Sequence, residues 1–398
     1  MSSESNIEWC DRTWEVTAGC TKVSSGCANC YAEHLMGTRM HGAAEKRARE
    51  GRANGSSVDL SLEVINAPEG KPPRWNGEIR LLDMNLDQPL RRRAPSRYFV
   101  NSRSDLFHPD VPFEYSDRVL AVMALCPWHR FMVLTKRPER MREYLTGDAI
   151  DRVYELILDN RKLGNISERA DIADEVTERW PLENVWLGTS VEDQETANTR
   201  LPELLACPAA GRFVSAEPLL GAVDLESRLR ASTRLHMCMD VRGALRNESF
   251  DGFTHPEDGR EMTRAEAEDA LWKIHATGVK VIPVGKCDDF DDQTGCRGHR
   301  TPGLDWVIVG GESGAGARPC NVAWVRSIKN QCQAAGVPVF VKQLGADPRR
   351  PYHEESCEGY APKLKLKNKK GADPSEWPAD LRVREVPDGL RVGSEVRP

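Results

Sequence analysis

Short β-branched or apolar runs that end in polar residues recur along this chain, each followed by a stretch of helical periodicity. The runs are RYFVNSRSD (Arg97 to Asp105), RFMVLTKRPER (Arg130 to Arg140), ENVWLGTSVED (Glu183 to Asp193), RFVSAEPLLG (Arg212 to Gly221), LDWVIVGGESG (Leu304 to Gly314) and VPVFVKQLG (Val337 to Gly345). Near-continuous apolar runs bounded by Gly, Pro and polar turns are the pattern of strands buried on both faces in a parallel sheet. Helical patterns lie between them over Ser116–Leu125, Ile150–Leu163 and Asn321–Ala335. Strand–helix alternation predicts a parallel α/β architecture. A first strand near Trp14–Ala18 and a second near Glu78–Leu82 bring the count to about eight, the number a closed TIM-like (β/α) barrel needs. An open dinucleotide-binding sheet is the competitor. No G-x-G-x-x-G opens a helix after the first strand, which ranks it lower.

The strands end in Asn101-Ser102, Thr135-Lys136, Thr189-Ser190, Ser215 with Glu217, Glu312-Ser313 and Lys342-Gln343. In a barrel these ends share one mouth, where active sites sit. Two segments break the rhythm. From about Ser232 to Thr301 the chain is polar and reads as an insertion, and after Gly345 it turns rich in Pro, Lys and charge, as an extended tail or loose cap would. The expected division is therefore barrel over 1–231 and 304–345, insertion over 232–303 and C-terminal extension over 346–398.

The sequence has 398 residues, 39% hydrophobic and 29% charged, with a net charge of −6. That length accommodates one elaborated barrel. No apolar run is long enough for a membrane helix, and the N-terminus lacks a signal-peptide pattern, so a cytoplasmic location is expected. The acidic balance argues against a general electrostatic grip on nucleic acid. The basic runs Arg91–Arg93 and Lys363–Lys370 read as solvated faces.

Twelve cysteines are many for a reducing compartment, and there clustered cysteines read as metal ligands or redox groups. Cys126, Cys207 and Cys332 lie in apolar or helical surroundings and read as core residues. Cys20, Cys27 and Cys30 follow the first strand in a C-x6-C-x2-C spacing, within a loop containing Gly19, Ser24, Ser25 and Gly26. Three thiolates on a 4Fe–4S cluster leave one iron without a protein ligand, a seat that S-adenosylmethionine (SAM) can take for radical chemistry. Rival readings are a zinc site completed by Cys10 or His34, a redox pair Cys27/Cys30 that leaves Cys20 idle, and three unrelated buried thiols. The C-x3-C-x2-C spacing usual for radical SAM enzymes is absent.

The segments IEWCDRTWEVTAGCTKVSSGCANCYAE, FVNSRSDLFHPDVP, VLTKRPERM, VWLGTSVEDQ, FVSAEPLLG and DWVIVGGESGAGARP together resemble the phage-type three-cysteine-motif family, a domain of unknown function. The match runs from about residue 7 to 345 apart from the insertion. The resemblance implies a barrel of the radical SAM type with Cys20, Cys27 and Cys30 as cluster ligands. It also points to phages and bacteria and to a partner protein named after the same motif. By analogy with radical SAM barrels, Asn101, Ser102, Asp105, Thr135, Ser190, Glu192 and Ser215 are candidate SAM contacts, with Glu217 beside them.

The insertion carries His236, Cys238, Cys287, Cys296 and His299, five N/S groups for four places. A polar segment needs another source of order, and a structural zinc on Cys238, Cys287, Cys296 and His299 supplies it. An auxiliary iron–sulfur cluster, or a loop with incidental cysteines, stays open. GGESGAGARP (Gly310 to Pro319) lacks the G-K-[ST] ending of a phosphate loop. Its glycines suit either a plain turn or the close approach of a cofactor.

The expected function is thus a radical SAM-type enzyme acting on a nucleotide or nucleic acid, with a reductase or partner protein. Lys136, Glu217, Glu312 and Lys342 would position the substrate or trade protons with it. The alternative is a zinc-stabilised nucleic-acid- or protein-binding module without catalysis.

Overall fold

In the computed structural model the described residues are 5, 7–52, 58–229, 290–291, 295–296, 303–350 and 362–392. The chain divides into two compact units, Met1–Leu229 with Gly303–Pro398, and Arg230–Pro302. In the smaller unit the described residues form an antiparallel pair of two-residue strands, Phe290–Asp291 and Gly295–Cys296. The candidate zinc ligands Cys238, Cys287 and His299 lie outside the described residues, as does His236, and so does the side chain of Cys296.

The larger unit is built on a curled, all-parallel sheet of seven strands, a half-barrel. They are β1 (Arg12–Trp14), β2 (Arg97–Val100), β3 (Arg130–Thr135), β4 (Val185–Ser190), β5 (Gly211–Ala216), β6 (Trp306–Gly310) and β7 (Val339–Gln343). Their spatial order is their chain order. A doubly wound sheet reverses its order at a switch point, whereas a sheet wound in one direction adds each strand on the same side, as TIM-like folds do. The helices that carry the crossovers include α1 (Tyr31–Leu35), α2 (Phe113–Ala124), α3 (Pro138–Thr146), α4 (Ala149–Asp159), α5 (Ile166–Glu178), α6 (Gln194–Leu205) and α7 (Val322–Ala334).

Six strands lie where the apolar runs place them. The expected strand at Glu78–Leu82 does not join the sheet. Only Arg80–Leu81 is extended there, pairing antiparallel with Thr17–Ala18 beyond the end of β1. This pair forms a rim over the mouth, which explains why Leu81 is exposed and the sheet has seven strands.

Side chains alternate strictly between two faces. Tyr98, Phe131, Val133, Leu187, Val214 and Val307 pack outward against the helices. Phe99, Met132, Trp186, Phe213, Trp306 and Phe340 pack inward with Trp9, Cys10 and Leu390. Gly188 is inward-facing, and a Cβ there would come within 2.5 Å of the Phe213 ring, so the glycine makes room for it. Two residues further along the same face stand Ser190, Ser215 and Lys342. The interior therefore changes from aromatic to polar toward the C-terminal ends of the strands.

Beyond Gly345 the chain is not loose. Residues 383–385 run antiparallel along the free edge of β7, with Val341 N–H donating to Val383 O at 2.9 Å and Glu385 N–H to Val339 O at 3.0 Å. Covering an edge strand removes a site for unwanted pairing. Trp377, Leu381 and Leu390 are buried, the last beneath the inner aromatic cluster.

His129, at the start of β3, is fully buried. Its Nε2 donates to Pro89 O at 3.1 Å and Arg92 O at 3.0 Å, and its Nδ1 accepts the Ser96 N–H at 3.2 Å. Burial lowers its pKa, against the pull of those carbonyls and helped by the Arg92 and Arg12 charges. Folded His129 thus resists protonation, while the unfolded chain accepts the proton near pH 6.5. Its contribution to stability is complete above about pH 6.5 and is lost as pH falls from there through the folded value. The slope is at most about 1.4 kcal/mol per pH unit for one proton. Urea unfolding between pH 7.5 and 5 should show a shallower slope in His129→Asn than in the wild type; identical slopes would remove this assignment.

Candidate active site

After β1 the chain crosses the mouth and turns at Gly19, whose φ of +93° and abutment on the Glu78 carbonyl leave no room for a side chain. Cys20 follows, then a single turn of 3₁₀ helix over Ser25–Cys27, then Cys30 at the start of α1. Cys27 is buried and Cys20 and Cys30 are half-buried. Burial pushes the Cys20 thiol up to about 12, with Asp105 adding to the shift and Arg137 opposing it. Burial also raises Cys30, against N–H groups of Glu33 and Ala32 that favour its thiolate. Cys30 acts electrostatically on Cys20, and Cys27 on Cys30, so the three thiols share one neighbourhood.

Among the described residues no three Cys, His, Asp or Glu side chains converge tightly enough to hold a single metal ion. A tetrahedral zinc with Zn–S near about 2.3 Å needs sulfurs roughly 4 Å apart. The suggested fourth ligands are also misplaced: Cys10 lies in the inner aromatic cluster, and His34 is exposed on α1.

Four buried carboxylates tie this loop to the strand ends. Glu192, just past β4, is fully buried and accepts from Ser24 Oγ at 3.1 Å and Arg200 Nη1 at 3.1 Å, with Lys136 Nζ on the same group. A Cβ on Gly26 would collide with this carboxylate, so the loop lies directly over it. Glu312, past β6, accepts from Arg318 Nη2 at 2.6 Å and Nε at 3.0 Å, and from Asn29 Nδ2 at 3.0 Å. Arg318 Nη1 reaches Ser25 O at 2.8 Å. Burial alone would raise Glu312, but these bonds hold its carboxyl below the usual range.

Asp105 accepts from Thr135 Oγ1 at 2.7 Å and Arg137 Nη1 at 2.8 Å. Arg137 Nη2 then donates to Thr21 O at 3.0 Å and Thr21 Oγ1 at 2.9 Å, and its charge favours the Cys20 thiolate. Glu15 accepts from the N–H and hydroxyl of Ser102, whose carbonyl takes the Tyr31 hydroxyl. Asn101 has φ +57°, and its Oδ1 accepts the N–H groups of Val16 (2.8 Å) and Thr17 (3.2 Å). Asn101, Ser102, Asp105, Thr135, Glu192, Glu312 and Lys136 therefore stand around the cysteine loop, with polar atoms committed to holding it.

Ser190, Ser215, Glu217 and Lys342 line the inner face instead. Lys342 Nζ lies 3.1 Å from Glu217 Oε2, which also accepts from Ser215 Oγ at 3.2 Å. The other oxygen, Oε1, is buried without a hydrogen bond, and a Cβ on Gly310 would come within 2.5 Å of it. Here a carboxylate and an ammonium stand together on the inner face.

Sequence reasoning missed Arg137, Arg200, Arg318, Asn29 and Glu15. Arg137 and Arg318 lay inside quoted motifs, VLTKRPERM and DWVIVGGESGAGARP, beside residues that were singled out. Asn29 and Glu15 lay inside the cysteine motif itself, and nothing local marks Arg200.

Fold and site together define an α/β half-barrel protein that carries a three-thiol loop over its mouth. The chain belongs to the family described as "Protein of unknown function (DUF5131)", whose model matches residues 4–374. No curated protein matches the sequence. Among solved structures the chain is similar to spore photoproduct lyase complexed with dinucleoside spore photoproduct, at 12% identity and a TM-score of 0.29 over 55% of this chain. Two point mutants of that lyase match at 10% and 11% identity, with TM-scores of 0.29 and 0.27. The chain spans about half, 48%, of the length of these lyase chains. Likeness that slight leaves the chemistry to the residues of the site.

Proposed function

We propose that this protein is a radical SAM enzyme, with Cys20, Cys27 and Cys30 holding a 4Fe–4S cluster inside a barrel of the radical SAM type. The observation that supports the reading is three neighbouring thiols on one loop at the mouth of a parallel half-barrel. Held by Cys20, Cys27 and Cys30, such a cluster would supply the electron that cleaves the sulfonium of bound SAM. The chain's own part is positioning. Arg137, Lys136, Arg318 and their carboxylates fix the loop, and a bonded second shell of this kind sets ligand orientation and potential. Ser190 and Ser215 offer hydroxyls to a bound molecule. Lys342 Nζ donates to Glu217 Oε2 at the inner wall, where the ammonium can give a proton to a substrate and the carboxylate can take one. A nucleotide or nucleic acid is the proposed substrate, with a reductase or partner protein delivering electrons. A reducing, cytoplasmic setting suits the eight cysteines whose side chains are described, all of which are free.

Anaerobic reconstitution with iron and sulfide tests this. A brown protein that yields 5′-deoxyadenosine from SAM and dithionite is expected. A colourless protein containing only zinc would overturn the reading in favour of a binding module. Among the described residues no helix is long and apolar enough to cross a membrane.

A further inference from the structure

The segment KLKLKNKK, Lys363 to Lys370, puts five lysines into eight residues of a chain whose net charge is −6. Its exposure alternates: Lys363, Lys365 and Lys367 are exposed, while Leu364 and Leu366 are half-buried and pack on the main core. Lys369 and Lys370 are exposed as well. The lysines are thus displayed by a segment anchored through its leucines, with Leu364 N–H donating to Pro348 O at 2.8 Å. Trp377 Nε1 closes the far end on Gly371 O at 2.9 Å.

Lys363 is committed to Asp347 at 3.3 Å. Among the described residues, Lys365, Lys367, Lys369 and Lys370 have no ion-pair partner. The nearby carboxylate of Glu376 is taken up by the backbone N–H groups of Lys367 (2.6 Å) and Asn368 (3.1 Å). Asp373 is held by Ser375.

The row adjoins the mouth. Leu344 N–H donates to Gly371 O at 2.9 Å, and Gly371 packs against Gly345. A Cβ on Gly345 would in turn meet Glu312 O at 2.8 Å, and Glu312 is the carboxylate whose Arg318 partner reaches the cysteine loop. A few residues separate the lysines from the proposed cluster.

We infer that Lys365, Lys367, Lys369 and Lys370 form a docking ridge for the phosphate backbone of a nucleic-acid strand leading toward the half-barrel mouth. This rests on the proposed function for what happens after docking and names the substrate class as nucleic acid. Lys365 and Lys367 are alternate residues of extended chain, about 6.6 Å apart, on the scale of successive phosphates along a strand, and Lys369 and Lys370 follow in a turn closed by the Gly371 N–H on Asn368 O at 2.9 Å. A membrane surface is the weaker fit, since peripheral membrane segments insert exposed apolar side chains between their cations. Here the two leucines face the core.

Fluorescence anisotropy of the full chain with a labelled DNA oligonucleotide, single-stranded and duplex, over a salt series tests the ridge. Each neutralised phosphate steepens the dependence of log K on log salt by about 0.9 for duplex and about 0.7 for single strands. Changing all four lysines to alanine should flatten the slope by about 3.6 and about 2.8 respectively, and weaken binding at least tenfold at low salt. Unchanged slopes overturn the inference, as does lysine-dependent binding to phosphatidylserine vesicles without binding to DNA. All four positions are exposed, so the variant should fold, and its production of 5′-deoxyadenosine from SAM alone should match the wild type. Conversely, the Cys27→Ala protein should keep the full DNA slope. Lysine-dependent binding by a protein that never assembles a cluster would sink the radical reading and leave the ridge standing.

Discussion

Replacing Glu192 by alanine should cost about 3–5 kcal/mol of stability, the usual penalty for removing one member of a buried ion pair. The carboxylate is fully buried and serves Arg200, Lys136 and Ser24 at once. Without it the nearly buried Arg200 keeps a bond to Ser190 O at 2.7 Å but loses its counter-charge. Lys136 is more exposed and can turn toward water, so most of the cost falls on Arg200. Against a typical total of about 5–15 kcal/mol, a loss of this size moves a urea midpoint far. The companion variant, Glu192→Ala with Arg200→Leu, removes both charges and should recover much of the loss, because apolar replacement of a buried pair is often neutral. The cysteine loop supplies a second readout, since Ser24 and Gly26 rest on this carboxylate and iron uptake should fall in both proteins. A single variant that loses less than about 1 kcal/mol would show that the pair is screened and that Glu192 does not anchor the loop.

How much of this was legible in the sequence depends on how local each cause is. Strands such as Arg130–Thr135 and Trp306–Gly310 announce themselves, because a strand buried on both faces must be apolar throughout its own length. Chain order then nearly fixes a singly wound sheet. The stretch at Glu78–Leu82 has the same look, but what decides its fate is Thr17–Ala18, its antiparallel partner on the rim. The C-terminal segment misleads for a related reason. Trp377, Leu381 and Leu390 dock separately through Pro-rich turns, so no period joins them, and a composition-based reading sees only charge and proline. Cys20, Cys27 and Cys30 stand out in the sequence because one short loop carries all three. Their supports do not. Asn29 meets Glu312 across 283 positions, and Lys136 meets Glu192 across 56. An arginine such as Arg200 becomes a core residue only because a distant carboxylate is waiting there. Conversely, polar strand ends such as Asn101 and Asp105 were visible as a group, but the sequence could not show that each is already occupied by the neighbouring backbone or by Arg137.

Cys27→Ala should lower reconstituted iron from cluster stoichiometry to near background and abolish production of 5′-deoxyadenosine, with the sheet intact. Cys27 is the most buried of the three thiols, its Sγ 3.9 Å from Ser24 Oγ. With two ligands left, the loop cannot hold a cubane that already lacks a fourth protein thiolate. Folding should be little disturbed, because the loop is held by Glu192, Glu312 and Asp105 through residues other than Cys27. Near-ultraviolet circular dichroism and the urea midpoint should therefore stay close to wild type while the iron goes. Cys10→Ser supplies the contrast. Cys10 packs among Trp9, Phe99 and Trp306, and its thiol donates to Ser5 Oγ at 3.1 Å, with burial raising it to about 11. Its loss should leave iron content unchanged. A zinc site closed by Cys10 predicts the reverse, metal lost in both proteins and no colour in either. Wild-type iron in Cys27→Ala would mean the three sulfurs do not share one cluster, and the open coordination position on which the chemistry depends would vanish with it.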